Sequence, residues 1–161
     1  MPRPKTRRLI DNPPLFDSFK PSGTRARDLQ DLRMSLDELE ALRLADLEGL
    51  NQDEAASRMD ISRSTFSRLV ESARRKSAEF FLEGRRLVIG GGPVHFKANR
   101  MRCGECGRVF PAALGNGPEI CPHCGSKVLS DLAGGYGHGD CCAEDEHANP
   151  RQVGGRRRGG H

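Results

Sequence analysis

Four cysteines in two closely spaced pairs constrain this chain more than any other feature of its sequence. Cys103 and Cys106 form one C-x2-C-G unit, Cys121 and Cys124 form another, and 14 residues separate the inner cysteines. Two such units predict four thiolates around one metal ion, because the glycine after each pair lets backbone amides turn toward sulfur. Four thiolates leave no open coordination position, so we expect a structural site rather than a catalytic one.

Zinc is the metal that we expect at this site, and iron is the alternative. The C-P-x-C-G form of the second unit resembles a rubredoxin knuckle, which holds redox iron. That small fold depends on a cluster of aromatic residues, whereas residues 101–133 contain only Phe110. We therefore predict a small zinc-ribbon β module that needs Zn2+ to fold, since it has few apolar groups. His123 lies inside the second unit and is expected to be exposed and not a ligand.

The stretch QDEAASRMDISRSTFSRL, residues 52–69, predicts two helices around a short turn. A helix-turn-helix needs a small residue within its first helix, a backbone break four residues later and an apolar residue after the break. Ala56, Asp60 and Ile61 meet these needs, and Phe66 and Leu69 supply the inward positions of the second helix. A packed helical hairpin with no role in DNA binding would explain the apolar offsets equally well.

Asp60 stands where such a turn usually has glycine. The turn residue often adopts positive φ, a region that aspartate tolerates better than most residues. We therefore expect a left-handed turn at Asp60, with strain of about 1 kcal/mol.

Good capping residues mark the other helix ends. Ser35 and Glu38 form an S-x-x-E capping box for a helix that ends at Gly49. A long helix is expected from Ser62 to Gly84. After it, RRLVI is typical of a strand, GGGP of a turn and VHFK of a return strand.

The exposed face of the long helix is the predicted DNA-binding surface. The N-terminal end of a recognition helix contacts base edges, where arginine can bond guanine and Ser or Thr can bond bases or phosphates. Basic residues further along are expected at phosphates. The alternative is a solvated face of a helical packing unit. The predicted DNA-binding residues are Arg63, Ser64, Thr65, Ser67, Arg68, Arg74, Arg75 and Lys76.

The charge of the chain changes sign at the predicted turn. Residues 28–61 contain three Lys or Arg and ten Asp or Glu, whereas residues 62–102 contain ten and three. A basic block of this kind indicates a polyanionic partner, and it favours double-stranded DNA. The alternative is that charged helices are simply soluble.

The chain divides into four predicted segments. They are a mostly irregular basic arm at 1–27, a helix-turn-helix domain at 28–92, the zinc ribbon at 93–133 and a disordered Gly-rich tail at 134–161. The predicted fold class is mainly α, with a three-helix, winged-helix-like helix-turn-helix domain and the small zinc-ribbon β module.

The tail contains two further cysteines. Cys141 and Cys142 with His138 and His147 could form a second metal site. Adjacent cysteines fit one small ion poorly without a strained backbone, so free thiols in a disordered tail are favoured.

The run SLDELEALRLADLEGLNQDEAASRMDISRSTFSRLVESARRKSAEFFLEGRRLVIGGG resembles the bacterial and archaeal family called domain of unknown function 134. The opening MPRPKTRR and the FKPSG stretch also match this family. The resemblance covers residues 1–92 and is specific over 35–92. It implies a helix-turn-helix similar to region 4 of sigma factors, with sequence-directed DNA binding through residues 62–75.

These observations favour a sequence-specific DNA-binding protein, a transcriptional regulator with a structural zinc ribbon. The alternative is a redox- or metal-sensing protein whose cysteine half, with zinc or rubredoxin-like iron, controls DNA binding. A zinc-ribbon RNA-binding module is a weaker third hypothesis. Helix-turn-helix regulators are often dimers, but no sustained heptad indicates where a homodimer would form.

Several function classes are disfavoured. The sequence has no Gly-rich phosphate loop, nucleophile elbow or open metal site, so we expect neither an enzyme nor a small-molecule substrate. No apolar run is long enough for a membrane span, and the basic N-terminus lacks the apolar region of a secretory signal. We therefore expect a cytoplasmic protein.

Overall fold

Short strands flank a group of helices in residues 7–143, the part of the chain that this computed structural model describes. Of these residues, 37% are helical and 20% lie in strands, which form three small sheets. The expectation of a mainly α protein is therefore wrong, and the fold is mixed α/β. The strands have only two to five residues each, which is too short for a period-two alternation to stand out in the sequence.

The expected helices form, with the expected caps. Both capping-box bonds are present between Ser35 and Glu38. Ser62 caps the long helix, which ends at Gly84 in the left-handed conformation. The helices are α1 (Leu36–Leu42), which continues into a π-helical turn (Arg43–Leu47), α2 (Gln52–Arg58), α3 (Arg63–Glu83) and α4 (Leu132–Gly135), with a 3-10 turn at Ala26–Asp28. None of the described helices is long and apolar enough to cross a membrane.

The sheets join segments that are distant in sequence. The strands are β1 (Arg8–Ile10), β2 (Ser18–Phe19), β3 (Asp31–Met34), β4 (Arg86–Ile89), β5 (Val94–Phe96), β6 (Asn99–Cys103), β7 (Val109–Ala112) and β8 (Leu129–Asp131). β1 runs parallel to β5, and β4 lies between parallel β3 and antiparallel β2. β6 lies between antiparallel β7 and β8.

RRLVI and VHFK form strands but not the hairpin that the sequence predicted. β4 pairs with β2 and β3, whereas β5 pairs with β1. Between them, the Gly91 carbonyl accepts a 3.1 Å hydrogen bond from the Leu36 amide. A Cβ on Gly92 would lie 3.1 Å from the Asp37 carboxylate. The glycines between β4 and β5 therefore pack against the start of α1. Because of this contact, β4 and β5 belong to different sheets.

The N-terminal segment is part of the folded structure from residue 7 onward. The sequence predicted a mostly irregular arm at 1–27, yet this segment supplies β1 and β2, and Ile10 is buried in the main core. The Asp11 carboxylate forms ion pairs with Arg43 at 2.7 Å and with Lys97 at 3.2 Å. It also pairs with Arg58. These ion pairs connect the N-terminal segment to the π-helical turn after α1, to α2 and to the chain after β5.

Two hydrophobic clusters lie on either side of α1. The main cluster joins β1, β3, β4 and β5 to α1 and α3, and the smaller one fills the space between α1, α2 and α3. Cys142 is 2% exposed and belongs to the main cluster. Residues 134–143 are therefore packed against the core, which corrects the prediction of a disordered tail over that stretch. Residues 144–161 of the predicted tail lie outside the described part.

Candidate functional site

The turn between α2 and α3 has the backbone geometry that the sequence indicated. Asp60 has a φ of 54° and is the one residue other than glycine with positive φ in the described part of the chain. The amides of Asp60 and Ile61 donate to the carbonyls of Ser57 and Ala56, at 3.1 Å each. This pair of bonds is a Schellman motif, which normally places glycine at the left-handed position. The expectation of a left-handed Asp60 is confirmed.

The inward face of α3 holds the helix in place. Phe66 is 1% exposed, Val70 is 6% exposed and Ala73 is fully buried. Phe66 packs in the smaller cluster with Ala56 of α2, and Leu69 packs against that cluster. The long helix is therefore fixed along one face, and its other face is available to solvent.

The polar residues at the start of α3 cluster around the cap. The Ser62 hydroxyl lies 2.8 Å from the Thr65 hydroxyl and 3.2 Å from the Ser64 hydroxyl. Ser64 is exposed, whereas Thr65 and Ser67 are half-buried. Arg63 donates to the Gln52 side chain at 3.0 Å and lies 3.7 Å from Asp53. These residues are thus brought together at the N-terminal end of the helix.

The later basic residues of α3 divide into two groups. Lys76 bonds the Glu38 carboxylate at 2.7 and 3.0 Å and is half-buried against α1. Arg74 makes two bonds to Asp46, at 2.6 and 3.0 Å. Arg68 and Arg75 are exposed, and within the described part of the chain neither side chain has a hydrogen-bond or ion-pair partner. The sequence had predicted Arg74, Arg75 and Lys76 together at phosphates, because it does not reveal their partners in other elements.

Much of the charge asymmetry is internal. Acidic residues of the block 28–61 pair with basic residues of the block 62–102, as in Asp31 with Arg86 at 2.7 Å and Glu38 with Lys76. The two blocks therefore attract each other and help to dock α3 and β4 onto α1 and β3. The charge reversal is a weaker indication of a polyanionic partner than the sequence alone implied. The positive charges on α3 that no acidic side chain pairs with within the described residues are those of Arg68 and Arg75.

The four paired cysteines converge at one end of the β6–β8 sheet. Cys103 ends β6 and the second pair lies in the loop between β7 and β8. The glycines after the pairs, Gly107 and Gly125, have φ of 70° and 74°. The amide of Cys106 points at the Cys103 sulfur at 3.5 Å, as expected for a knuckle.

The sulfur spacing fits a single tetrahedral ion. The Cys103 and Cys124 sulfurs are 3.6 Å apart, and those of Cys106 and Cys121 are 3.8 Å apart. All four lie within 4.8 Å of one another. A tetrahedral ion with metal–sulfur bonds of about 2.3 Å sets its sulfurs about 3.8 Å apart. The cluster can therefore hold a metal ion, and the expectation of a metal-capable site is confirmed.

The thiols also influence one another's ionisation. The backbone N–H of Cys106 lowers the pKa of Cys103 to about 6. The N–H of Ser126 lowers the pKa of Cys124, but burial and the neighbouring thiols outweigh it and raise that pKa to about 12. Four thiolates at this spacing need a cation to neutralise them, so metal binding would release protons.

The hydrophobic core around the four-cysteine cluster contains few residues. Its buried core consists of two of the cysteines and Phe110, with Met101 and Leu129 packed against it. His123 is exposed, as expected, and its ring Nδ1 accepts a hydrogen bond from the Arg108 guanidinium at 3.0 Å. It is not among the side chains that converge on the metal-capable cluster.

A family model described as "Protein of unknown function DUF134" matches residues 1–97. The chain belongs to this family. A UPF0251 protein of Chloroherpeton thalassium is 42% identical over 82% of the chain and 87% of the relative. A UPF0251 protein of Moorella thermoacetica is 41% identical over 88% of the chain and 93% of the relative. No solved structure matches the chain significantly.

The match to DUF134 spans α1–α3 and β1–β5, and the relatives extend it across the four-cysteine module. The resemblance seen in residues 1–92 is thus confirmed at the level of the family. The names of these relatives assign them no activity, ligand or partner.

Proposed function

We propose that this member of DUF134 is a sequence-specific binding protein for double-stranded DNA, acting as a transcriptional regulator through a helix-turn-helix. The observation that carries this proposal is the exposed stripe on α3. Ser64, Arg68 and Arg75 lie within about 40° of one another on a helix that turns 100° per residue, opposite Phe66 and Ala73. Both guanidinium groups of this stripe are exposed and without partners in residues 7–143.

The position along the helix assigns the contacts. Ser64, Ser67 and Arg68 lie in the first two turns, which meet base edges when such a helix enters the major groove. Arg68 can bond guanine through both guanidinium nitrogens. Arg75 lies about 10 Å further along the helix axis, at 1.5 Å per residue, and reaches a phosphate there.

The remaining basic residues of the predicted set are assigned by their partners. Arg63 lies 3.7 Å from Asp53 with both side chains more than 60% exposed, so it can exchange this weak contact for a phosphate. Arg74 is about half exposed beside Asp46 and can do the same. Lys76 is the exception, because its bond to buried Glu38 holds α1 to α3. The proposed interface therefore excludes Lys76.

We propose that the four-cysteine cluster holds a structural Zn2+. Zinc favours closed tetrahedral thiolate sites, and such sites supply the folding free energy that a minimal core lacks. The core here has one aromatic residue, Phe110, which does not favour a rubredoxin-type iron fold. Thiolate ligands persist in a reducing compartment, so we also propose the cytoplasm as its location.

Selection of bound sequences from a random duplex pool tests DNA binding. We expect the metal-loaded full chain to enrich a defined sequence, and Arg68→Ala to bind it about 10- to 100-fold more weakly in fluorescence anisotropy. Enrichment of no sequence above background would refute sequence-specific binding.

Two matched variants control for charge. Arg33→Ala removes one exposed arginine from β3 and should leave the affinity unchanged. Glu71 lies on the same α3 stripe, so Glu71→Gln should raise non-specific affinity by removing repulsion from phosphates. Equal losses from Arg33→Ala and Arg68→Ala would show that net charge, and not the α3 face, governs binding.

A further inference from the structure

A second set of metal-binding side chains lies where the chain returns to the core after α4. Gly137 and Gly139 have φ of 78° and 142°, and they turn the backbone so that residues 140–143 form a helical segment against β5. This turn brings His138, Cys141 and Cys142 to His95, the central residue of β5. The four ligand atoms lie within 4.8 Å of one another.

The separations match those of a tetrahedral ion. The Cys141 and Cys142 sulfurs are 3.8 Å apart, and they lie 3.4 and 3.8 Å from Nδ1 of His138. Bonds of about 2.3 Å to sulfur and about 2.0 Å to nitrogen set sulfurs about 3.8 Å apart and sulfur about 3.6 Å from nitrogen. The sequence-based objection to adjacent cysteines does not apply, because their sulfurs already have the required spacing without left-handed backbone at either residue.

Two of the four side chains, His95 and Cys142, are buried, while His138 is half-buried and Cys141 is exposed. His95 is 5% exposed and Cys142 is 2% exposed. The backbone N–H of Phe96 donates to the Cys142 sulfur at 3.3 Å. Such N–H bonds orient a thiolate ligand and stabilise its charge. The rings of Phe96 and His138 meet edge to face, with their centroids 5.3 Å apart.

We propose that His95, His138, Cys141 and Cys142 bind a second metal ion of the Zn2+ class, separate from the four-cysteine site. Two imidazoles and two thiolates form a closed tetrahedral set that suits zinc. The histidine that completes the set with His138 is His95, which lies 43 positions earlier, and His147 lies outside the described residues. Sequence reasoning missed His95 because no local spacing connects it to the cysteines.

The ion would join the C-terminal segment to the helix-turn-helix. His95 pairs in register with Leu9 of β1. The Leu9 amide donates at 3.0 Å to the carbonyl of Met59, which ends α2 immediately before the turn. The second site therefore clips residues 138–142 onto the strand pair that supports this turn.

Metal stoichiometry of the purified, reduced full chain tests this inference. We expect two zinc ions per chain by mass spectrometry. His95→Gln and Cys142→Ser should each contain one ion, with far-UV circular dichroism close to that of the wild type. His123→Gln, which changes a histidine outside the set, should still contain two. One ion per wild-type chain, or two in His95→Gln, would overturn the second site.

X-ray absorption of the wild-type protein decides the matter even if the variants fail to fold. The two ligand sets together predict an average of three sulfurs and one nitrogen per zinc. Four sulfurs and no nitrogen per zinc would mean that only the four-cysteine cluster is occupied. Neither readout depends on DNA binding, so the second site can fail while the proposed function stands, and the reverse also holds.

Discussion

Lys76 and Arg75 are adjacent in sequence, yet they lie in different surroundings. Lys76 donates to Glu38 at 2.7 and 3.0 Å, and Glu38 also accepts from the Ser72 hydroxyl at 2.6 Å and from the Ser35 amide at 2.9 Å. Arg75 is exposed and bonds nothing within the described residues. We therefore predict that Lys76→Ala affects stability and that Arg75→Ala affects DNA binding.

The expected loss of stability in Lys76→Ala follows from how deeply the Lys76–Glu38 pair is buried. The Lys76 and Glu38 side chains are 24% and 9% exposed, which places the pair between two limits. Exposed pairs contribute about 0.2–1 kcal/mol, whereas breaking a buried pair costs about 3–5 kcal/mol. We expect Lys76→Ala to lower the free energy of unfolding by about 2 kcal/mol, since the lysine leaves a largely buried carboxylate behind. Arg75→Ala should change it by less than about 0.5 kcal/mol.

Urea unfolding of the zinc-loaded proteins and anisotropy with the selected duplex measure the two effects separately. Lys76→Ala should unfold at lower urea with an unchanged slope, and the folded variant should bind DNA as the wild type does. Arg75→Ala should unfold as the wild type does, with a salt dependence of binding that is shallower by about one ion. If Lys76→Ala retained full stability but lost DNA affinity, the assignment of these two residues would be wrong.

Three further predictions concern the turn, acid and the metal. Asp60→Gly should stabilise the protein by about 0.5–1 kcal/mol in urea unfolding and Asp60→Val should destabilise it by more than about 1 kcal/mol, because φ is positive there; a more stable Asp60→Val would exclude the left-handed turn. Burial raises the pKa of Glu38, but Lys76, Ser72 and the Ser35 amide outweigh burial and hold that pKa below its usual 4.5. The stability that this carboxylate contributes is therefore complete at pH values above its unfolded-state pKa. It is lost as the pH falls through the lower folded-state pKa. The difference in unfolding free energy between wild type and Glu38→Gln should accordingly shrink with acidification below about pH 4, and a difference that grows would contradict this sign. Chelation of zinc should make residues 99–131 sensitive to protease while α3 stays helical by circular dichroism, and a module that resists protease without metal would exclude a structural ion.

The local features of this fold were predictable because their causes are local. Ser35 and Ser62 each cap a helix as their sequence contexts suggest. The left-handed Asp60 followed from the spacing of Ala56 and Ile61 around it. The sulfur cluster followed from two C-x2-C-G units, because each knuckle is a short-range structure.

The features that escaped prediction depend on contacts between distant segments. β1 pairs with β5 across more than 80 residues, and a three-residue strand has no period that would reveal this. The same limit applies to the site. Glu38, on α1, bonds Lys76 of α3, and Lys76 is therefore not part of the exposed face of α3. His95 joins His138 only through the β5 position and the turn after α4, so no spacing in the sequence indicated their pairing.

Mapping of amide chemical shifts on the 17.7 kDa chain, with and without the selected duplex, tests the central claim most directly. If the exposed face of α3 reads DNA, the largest changes should fall at residues 62–68 and extend along that face to Arg75. The four-cysteine module should change little. Large changes confined to residues 103–124, with α3 unaffected, would contradict the account and favour nucleic-acid binding by the module instead.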